Sequence, residues 1–312
     1  MRPRPRFVTV DDTEHITPQD DHPEMSFRDS WILSKAVADT YWIQGHSYCS
    51  LDEAMTLANY LNKEMKVETA ARSIAAKFLT PMTIVGTPTS VWKLLADTLM
   101  HFFDESCEMI LELLLQMQKL SERMLPWSEL PGFAYEWQRY YEHCRFTRQD
   151  DMTEEEWVQY RKQFYRNAGT FEARMLVLGI PGIDEHWAYR TINLISSREQ
   201  DIDYIIYEIH AWLQVAGAKL AELLDPNQVK SFERRVRGRL VRHYELQVTM
   251  FEHWQHWKKE FLQSSYEEEL SPDARELARD CHEMMKAQHI RLPMFLDTHK
   301  EGTCEGDRAM TA

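Results

Sequence analysis

Two groups of oxygen-bearing side chains have the residue types and spacing of magnesium ligands. The first is a D-D-x-x-E sequence formed by Asp150, Asp151 and Glu154. The second lies at four-residue steps, which would place its members on one helix face: Asn193, Ser197 and Asp201. Oxygen atoms of these types are the ligands that Mg²⁺ prefers. If the two groups met in the fold, they could hold magnesium against a diphosphate.

The arrangement of the two groups argues against that chemistry. Terpene cyclases use a D-D-x-x-E motif in this way, but their second motif lies much farther along the chain. Leu194 also stands where the second motif would carry an acidic residue. The sequence DDMTEE is more typical of an exposed loop that ends in a capping box of Thr153 and Glu156. We therefore expect the Asp150 and Asn193 groups not to converge on a metal ion.

The sequence EHWQHW offers a second candidate for metal binding. His253 and His256 are three residues apart, and Glu252 precedes them. A zinc site needs at least three protein ligands, and no H-E-x-x-H sequence supplies them. We expect Trp254 and Trp257 to belong to the core and the two histidines to flank them at the surface.

Covalent catalysis and common cofactors also lack support. Cys281 and His282 could suggest a nucleophile with its base, but adjacent side chains on a helix point about 100° apart and cannot pair locally. The chain has no G-x-G-x-x-G, no P-loop and no G-x-S-x-G sequence. The sequence therefore predicts no catalytic residue, no metal and no cofactor.

A basic segment is the one stretch that suggests a binding surface. On one expected helix it carries two stripes of basic residues, each spaced four then three: Lys230, Arg234 and Arg237, and Arg235, Arg239 and Arg242. Apolar residues would lie between the stripes and face the core: Val229, Phe232, Val236 and Leu240. Arginine forks favour carboxylate and other anionic partners.

The partner of these basic residues is either internal or external. An internal partner could be one of two acidic turns, 267–269 or 154–156. An external partner would be an acidic protein segment or an anionic ligand. A membrane surface is disfavoured, because the rest of this acidic chain would be repelled by anionic lipid.

The overall charge limits the other partners. The formal net charge is −14, so the chain lacks the basic field that nucleic-acid binding requires. Five scattered cysteines without C-x-x-C spacing argue against a disulfide framework and favour a reducing compartment. No apolar run predicts a signal peptide or a membrane span. We expect a cytoplasmic protein, with a nuclear location left open.

The element that must organise the fold is the apolar stretch 201–224. Its apolar residues cover most of the circumference of a helix, so we expect a buried central helix with four nearly inaccessible side chains: Ile205, Ile209, Leu213 and Leu220. Gly217 lies within it, between two alanines. A glycine inside a helix costs about 1 kcal/mol, which suggests that another helix approaches closely there.

The remaining pattern is helical. Capping boxes begin helices at Ser50 and Thr153, and a Ser271-Pro272 pair begins the last one. Residues 227–263 are expected to form a single long helix, and no stretch alternates strongly enough to predict a strand. We therefore expect an irregular all-α domain of nine to ten helices over residues 25–292, with a disordered arm at 1–24 and a frayed tail at 293–312.

Four segments carry a resemblance to a known family: VWKLLADTL at 91–99, PWSELPGFAYEW at 126–137, TFEARMLVLGI at 170–180 and IHAWLQVAGAKL at 209–220. Together they resemble the helical domain of unknown function found in many filamentous-fungal proteins, over roughly residues 25–261. The resemblance implies a fungal, intracellular, all-α protein. It implies no activity and transfers no site residue.

Two classes of function remain. The first is a non-catalytic helical scaffold or interaction protein, which is favoured because no catalytic group survives the arguments above. The alternative is an accessory enzyme or a hydrophobic small-molecule-binding protein of a fungal secondary-metabolite pathway. Its pocket would be lined by some of the sixteen methionines and the abundant aromatic residues. The sequence makes no prediction of oligomeric state.

Overall fold

The structure is a computed structural model that describes residues 25–37, 49–76, 88–120, 126–146, 152–197, 201–236 and 242–293. The all-α expectation is confirmed, with eleven α-helices in these ranges. In chain order they are α1 Phe27–Ser34, α2 Leu51–Leu61, α3 Val67–Ala75, α4 Thr89–His101, α5 Phe103–Met117, α6 Phe133–Phe146, α7 Glu154–Leu178, α8 Glu185–Ser197, α9 Ile202–Leu223, α10 Met250–Ser264 and α11 Pro272–Ala287. The expected arm at 1–24 and nearly all of the expected tail lie outside the described residues.

Helix α9 is the central helix, as the sequence predicts. Ile205, Ile209 and Leu220 are fully inaccessible and Leu213 is 3% exposed. The helix packs against α7, α8 and α11, because its apolar residues leave only a narrow strip for solvent. None of the described helices is long and apolar enough to cross a membrane.

Helix α7 approaches α9 closely at Gly169. A Cβ built on Gly169 would lie only 2.5 Å from the backbone oxygen of Glu208, so only glycine fits. The expected close approach at Gly217 is wrong, since a Cβ there would meet nothing nearer than the Gln288 side chain at 3.9 Å. The tight contact is supplied by the partner helix instead, which periodicity within α9 cannot reveal.

The main error of the sequence analysis lies at residues 227–263. In place of one long helix, an antiparallel hairpin of β3 Val229–Val236 and β4 Arg242–Thr249 precedes α10. Alternation in β4 brings Tyr244, Leu246 and Val248 to one face, which is the period of a strand. The side chain of Thr249 accepts a hydrogen bond from the Glu252 backbone, and this capping box begins α10.

The other local expectations at helix ends are confirmed. Ser50 and Thr153 form capping boxes with the third residue of α2 and α7, and Ser271 caps α11. A second short pair of strands, β1 Ala36–Val37 and β2 Cys49–Ser50, runs parallel. The four cysteines in the described ranges are all free thiols.

Candidate functional site

The most unusual polar group in the core is the carboxyl of Glu172 on α7. It is fully inaccessible to solvent. Its Oε1 accepts a hydrogen bond from Trp137 Nε1 at 2.8 Å, and its Oε2 accepts from Trp187 Nε1 and Trp212 Nε1, each at 3.1 Å. The three indoles belong to α6, α8 and α9. One carboxyl therefore links four helices.

The protonation of Glu172 is poised near neutrality. Burial raises the pKa of its carboxyl from 4.5 to about 7, because the charged form loses its hydration. The three indole donors act in the opposite direction, since they stabilise the negative charge. A carboxyl of this kind can accept or release a proton at neutral pH.

A second buried carboxyl lies on the neighbouring helix. Glu208 of α9 is 2% exposed, and its Oε2 accepts a hydrogen bond of 2.6 Å from the Tyr141 hydroxyl. Burial, followed by the negative charge of Glu208, raises the pKa of Tyr141 far above its ordinary value, so the phenol stays protonated and donates. The Gly169 contact with the Glu208 backbone holds α7 and α9 together beside both carboxyls.

These groups face one cavity of about 220 Å³. Helical spacing explains the convergence, because residues three or four apart share a face. Helix α6 supplies Gln138, Tyr141, Glu142 and Arg145, and α8 supplies Trp187, Arg190, Thr191 and Leu194. Helices α7 and α9 supply Glu172 and Glu208. We call this the α6–α9 cavity. Its buried end is acidic, whereas its exposed rim carries Gln138, Glu142 and Arg190.

The chemistry of the cavity is that of polar binding. Buried carboxyls, a phenol and guanidinium groups can fix a ligand by directed, charge-assisted hydrogen bonds. The described ranges contain no group of three or more His, Cys, Asp or Glu side chains arranged to hold a metal ion.

The candidate magnesium ligands that the structure describes lie in other settings. Asp150 and Asp151 lie outside the described residues, and Glu154 is exposed in the first turn of α7. Asn193 is buried; it donates to the Glu233 backbone oxygen at 2.7 Å and accepts from Trp257 Nε1 at 2.9 Å. This pairing ties α8 to the hairpin and to α10.

The other two members of the Asn193 group also have structural partners. The Ser197 hydroxyl donates to the Leu194 backbone oxygen at 3.3 Å. Asp201 pairs with Arg161 at 3.1 Å. The Asn193 group thus has protein partners at each of its three residues.

The histidine prediction is half wrong. Trp254 and Trp257 belong to the core as expected, but His253 is fully buried with them rather than at the surface. Its Nε2–H donates to the Lys230 backbone oxygen at 3.0 Å, and its Nδ1 accepts from Arg234 at 3.3 Å. The reason is the hairpin, which folds over α10 and covers a position that a continuous helix would leave open.

His256, Cys281 and His282 have environments that are typical of structural residues. Burial lowers the pKa of His256 to about 4, so its ring is neutral at ordinary pH. Cys281 is fully buried, which raises the pKa of its thiol, and the His282 Nδ1–H donates to the Lys258 backbone oxygen at 2.8 Å instead. The expectation that Cys281 and His282 do not pair agrees with these contacts.

The basic segment is a strand, so its two predicted helical stripes are wrong. Side chains alternate across β3, which puts Lys230 and Arg234 on the face of Phe232 and Arg235 on the other face. Phe232 packs on His253 and Trp257, so its face is the inner one.

The basic residues within the described ranges can now be placed. Arg234 is half-buried, and burial lowers its pKa. Arg235 lies on the outer face of the hairpin, together with Glu233 and Glu245. Arg242 begins β4, whereas Arg237 and Arg239 lie outside the described residues. A binding surface on this segment stays a prediction.

Sequence reasoning missed Glu172 and Glu208, although a signal was present. Each is a lone acidic residue within an apolar helical stretch, and charged residues in such positions are rarely fully buried without partners. The partners themselves come from three other helices and could not be assigned from spacing.

Comparison with known proteins gives one match. The family described as "Protein of unknown function (DUF3632)" matches residues 92–261, which is more than half of the 312 residues and includes every residue that lines the α6–α9 cavity. No curated protein and no solved structure matches the chain.

Proposed function

The chain belongs to the DUF3632 family of proteins of unknown function, and we propose that this member binds a small polar molecule in the α6–α9 cavity. Two function classes were considered from the sequence, and the geometry supports the small-molecule alternative in a changed form. The cavity is lined by charged and hydrogen-bonding side chains together with the apolar surface of their rings and stems, so a ligand with polar ends suits it better than a purely hydrophobic one.

The observation that carries this proposal is the burial of two carboxyls at the same cavity. Glu172 and Glu208 are 0% and 2% exposed. Removing a carboxylate from water is costly unless other groups stabilise it. A purely structural core would place apolar residues here at lower cost. Their position at a cavity with a polar rim is typical of a binding site.

A variant that fills the cavity tests the proposal. Leu194→Trp enlarges a half-buried wall residue. Leu223→Trp is its matched control, because Leu223 is exposed at the end of α9 and does not line the cavity. Binding is screened by ligand-observed NMR with four sets of small molecules: amines, carboxylic acids, amino acids and sugars.

We expect at least one set to bind wild type and the Leu223→Trp control but not Leu194→Trp. The thermal unfolding of both variants is measured, so that loss of binding is not confused with loss of the fold. Absence of binding by all four sets, or equal binding by a folded Leu194→Trp protein, would overturn the proposed function.

A role as a helical scaffold or interaction protein is the other class. Its sequence support was the basic segment, with an acidic protein segment or an anionic ligand as partner. On the described outer face of the hairpin, however, Arg235 is accompanied by Glu233 and Glu245. This mixed charge favours no acidic partner, so we do not propose the scaffold role in preference to the cavity.

A further inference from the structure

Resting on the proposed function, we propose that the ligand is a small zwitterion of about amino-acid size, with its ammonium group against Glu172 and Glu208 and its carboxylate at Arg190. The inference depends on how charge is ordered along the α6–α9 cavity, from its buried end to its rim.

The buried end is acidic and rich in acceptors. Glu172 Oε1 accepts one hydrogen bond, from Trp137, whereas a carboxyl oxygen has two lone pairs. The carboxyl of Glu208 lines the same cavity from α9. A ligand ammonium offers three donors and a positive charge. It would therefore satisfy acceptors that the indoles leave open and would offset the buried negative charge.

The rim supplies the opposite charge. Arg190 is exposed at the cavity mouth on α8, and no hydrogen bond or ion pair within the described ranges occupies its guanidinium group. Arg145 adds a second positive charge on α6, where its Nε donates to Tyr165 at 3.0 Å. The rim acid Glu142 is held by Gln138 at 2.9 Å. A guanidinium fork pairs well with a carboxylate.

The volume limits the size of the ligand. The α6–α9 cavity holds about 220 Å³. Most pockets for drug-sized molecules are larger, at about 300–1,000 Å³. A molecule with an ammonium and a carboxylate at the ends of a short chain matches this small volume.

The protonation state of Glu172 gives a second test for a bound ammonium group. Its carboxyl has a pKa of about 7 in the free protein, and a neighbouring ammonium favours the ionised form. Binding of an ammonium should then release a proton near neutral pH. The affinity for the zwitterion should rise with pH through this region, and Glu172→Gln should remove the pH dependence.

Three probes of the same chain length separate the charges: 4-aminobutanoate, butylamine and butanoate. Each is titrated by NMR into the full chain, up to about 10 mM so that dissociation constants near 1 mM are detected. The variant Arg190→Gln removes the rim charge. Arg72→Gln is its matched control, because Arg72 is an exposed arginine on α3 and does not line the cavity.

We expect 4-aminobutanoate to bind at least about tenfold more tightly than either single-charge probe, a difference of about 1.4 kcal/mol. Arg190→Gln should weaken 4-aminobutanoate about tenfold and leave butylamine unchanged, whereas Arg72→Gln should change neither. Equal binding of butanoate, or no effect of Arg190→Gln, would overturn the zwitterion assignment.

The two proposals fail in different ways. If none of the three probes binds while another set from the NMR screen binds and is blocked by Leu194→Trp, the zwitterion is wrong and the cavity remains a binding site. If Leu194→Trp does not weaken the binding of any molecule in either experiment, both proposals are wrong.

Discussion

Two regions of the core each bury a titratable side chain among aromatic rings, with different results. Glu172 is held by three indole N–H donors at the end of a cavity. His253 is enclosed between Phe232 and Trp257, and both of its ring nitrogens have protein partners. Glu172 lies beside a cavity and its Oε1 accepts a single hydrogen bond, whereas both ring nitrogens of His253 have partners.

The comparison shows that burial of a titratable group does not by itself mark a site. The imidazole of His253 fastens the hairpin to α10, and its shifted pKa is a by-product of that packing. The carboxyl of Glu172 also links helices, but it lies at the buried end of a cavity whose rim carries charged groups. A cavity with converging polar groups distinguishes a candidate site from a structural network.

The largest expected effect comes from removing the acceptor at the helix junction. Glu172→Leu leaves the buried indoles of Trp137 and Trp212 without partners, at about 1–3 kcal/mol each, so we expect a loss of about 2–6 kcal/mol in the free energy of unfolding. Urea denaturation measures it. Glu142→Leu, at the exposed rim, is the control and should cost less than about 1 kcal/mol. Equal losses would show that Glu172 is not a junction.

The equivalent change in the hairpin region should cost somewhat less. His253→Ala removes a fully buried ring, leaves the Lys230 backbone oxygen without its donor and opens a void beside Phe232. We expect a loss of about 2–4 kcal/mol by urea denaturation. His289→Ala, outside the elements, serves as the control. A loss below about 1 kcal/mol for His253→Ala would contradict its role as a fastener.

The two groups should give opposite pH dependence of stability. Because the pKa of Glu172 is raised from 4.5 to about 7 in the folded state, its stabilising contribution is full below pH 4.5 and lost as pH rises through about 7. Burial lowers the pKa of His253 below 6.5. Its contribution is therefore present above pH 6.5 and lost as the pH falls toward the folded pKa.

Denaturant unfolding of wild type and of two variants measures this contrast. The loss in free energy of unfolding caused by Glu172→Gln should be larger at about pH 5 than at about pH 8, by on the order of 2 kcal/mol. The loss caused by His253→Gln should instead be larger at about pH 8. Parallel pH profiles for the two variants would refute the opposed protonation states.

A pair of glycines tests the helix contact that holds the cavity together. Gly169→Ala places a Cβ against the Glu208 backbone and should cost about 1–3 kcal/mol. Gly217→Ala has room for its Cβ and should gain about 0.5 kcal/mol or more, because it removes a glycine from a helix. Thermal unfolding compares them. A stable Gly169→Ala protein would mean that α7 and α9 can separate without penalty.

The smallest expected effect concerns the basic segment. Charge reversal to Glu at Arg235, Arg239 and Arg242 should lower the melting temperature by about 2–4 °C, corresponding to about 1 kcal/mol, if these residues serve an internal role, as we expect. The partial burial of the Arg235 side chain supports that role. An unchanged melting temperature together with lost binding of a polyglutamate probe would instead support an external acidic partner.

The helical part of the fold could be predicted because its signals are local. The apolar periodicity of α9 and the capping boxes at Ser50 and Thr153 depend on residues within a few positions of one another. The hairpin was missed because the apolar residues of 229–240 also match a helical period. Strand pairing is decided by a partner farther along the chain, and the Thr249 cap that separates β4 from α10 was overlooked.

The candidate site could not be assembled in the same way. The sequence shows a lone glutamate in each of two apolar stretches, and nothing in either stretch says which donors reach it. Trp137, Trp187 and Trp212 look like ordinary core residues in the sequence. Apolar periodicity predicts that they are buried, but it does not indicate what their indole nitrogens bind. Their meeting at one carboxyl depends on the relative rotation of four helices.

The sequence alone therefore determined most of the helices, which helix is central and where several helices begin, because backbone hydrogen bonding and apolar periodicity act over short distances. Only the tertiary structure decided that Gly169 rather than Gly217 allows the close approach to α9, that residues 229–249 pair as strands, and that Glu172 and Glu208 face one cavity. Those outcomes depend on contacts between residues far apart in sequence, where the shape of the partner surface selects among arrangements that local propensity leaves equal.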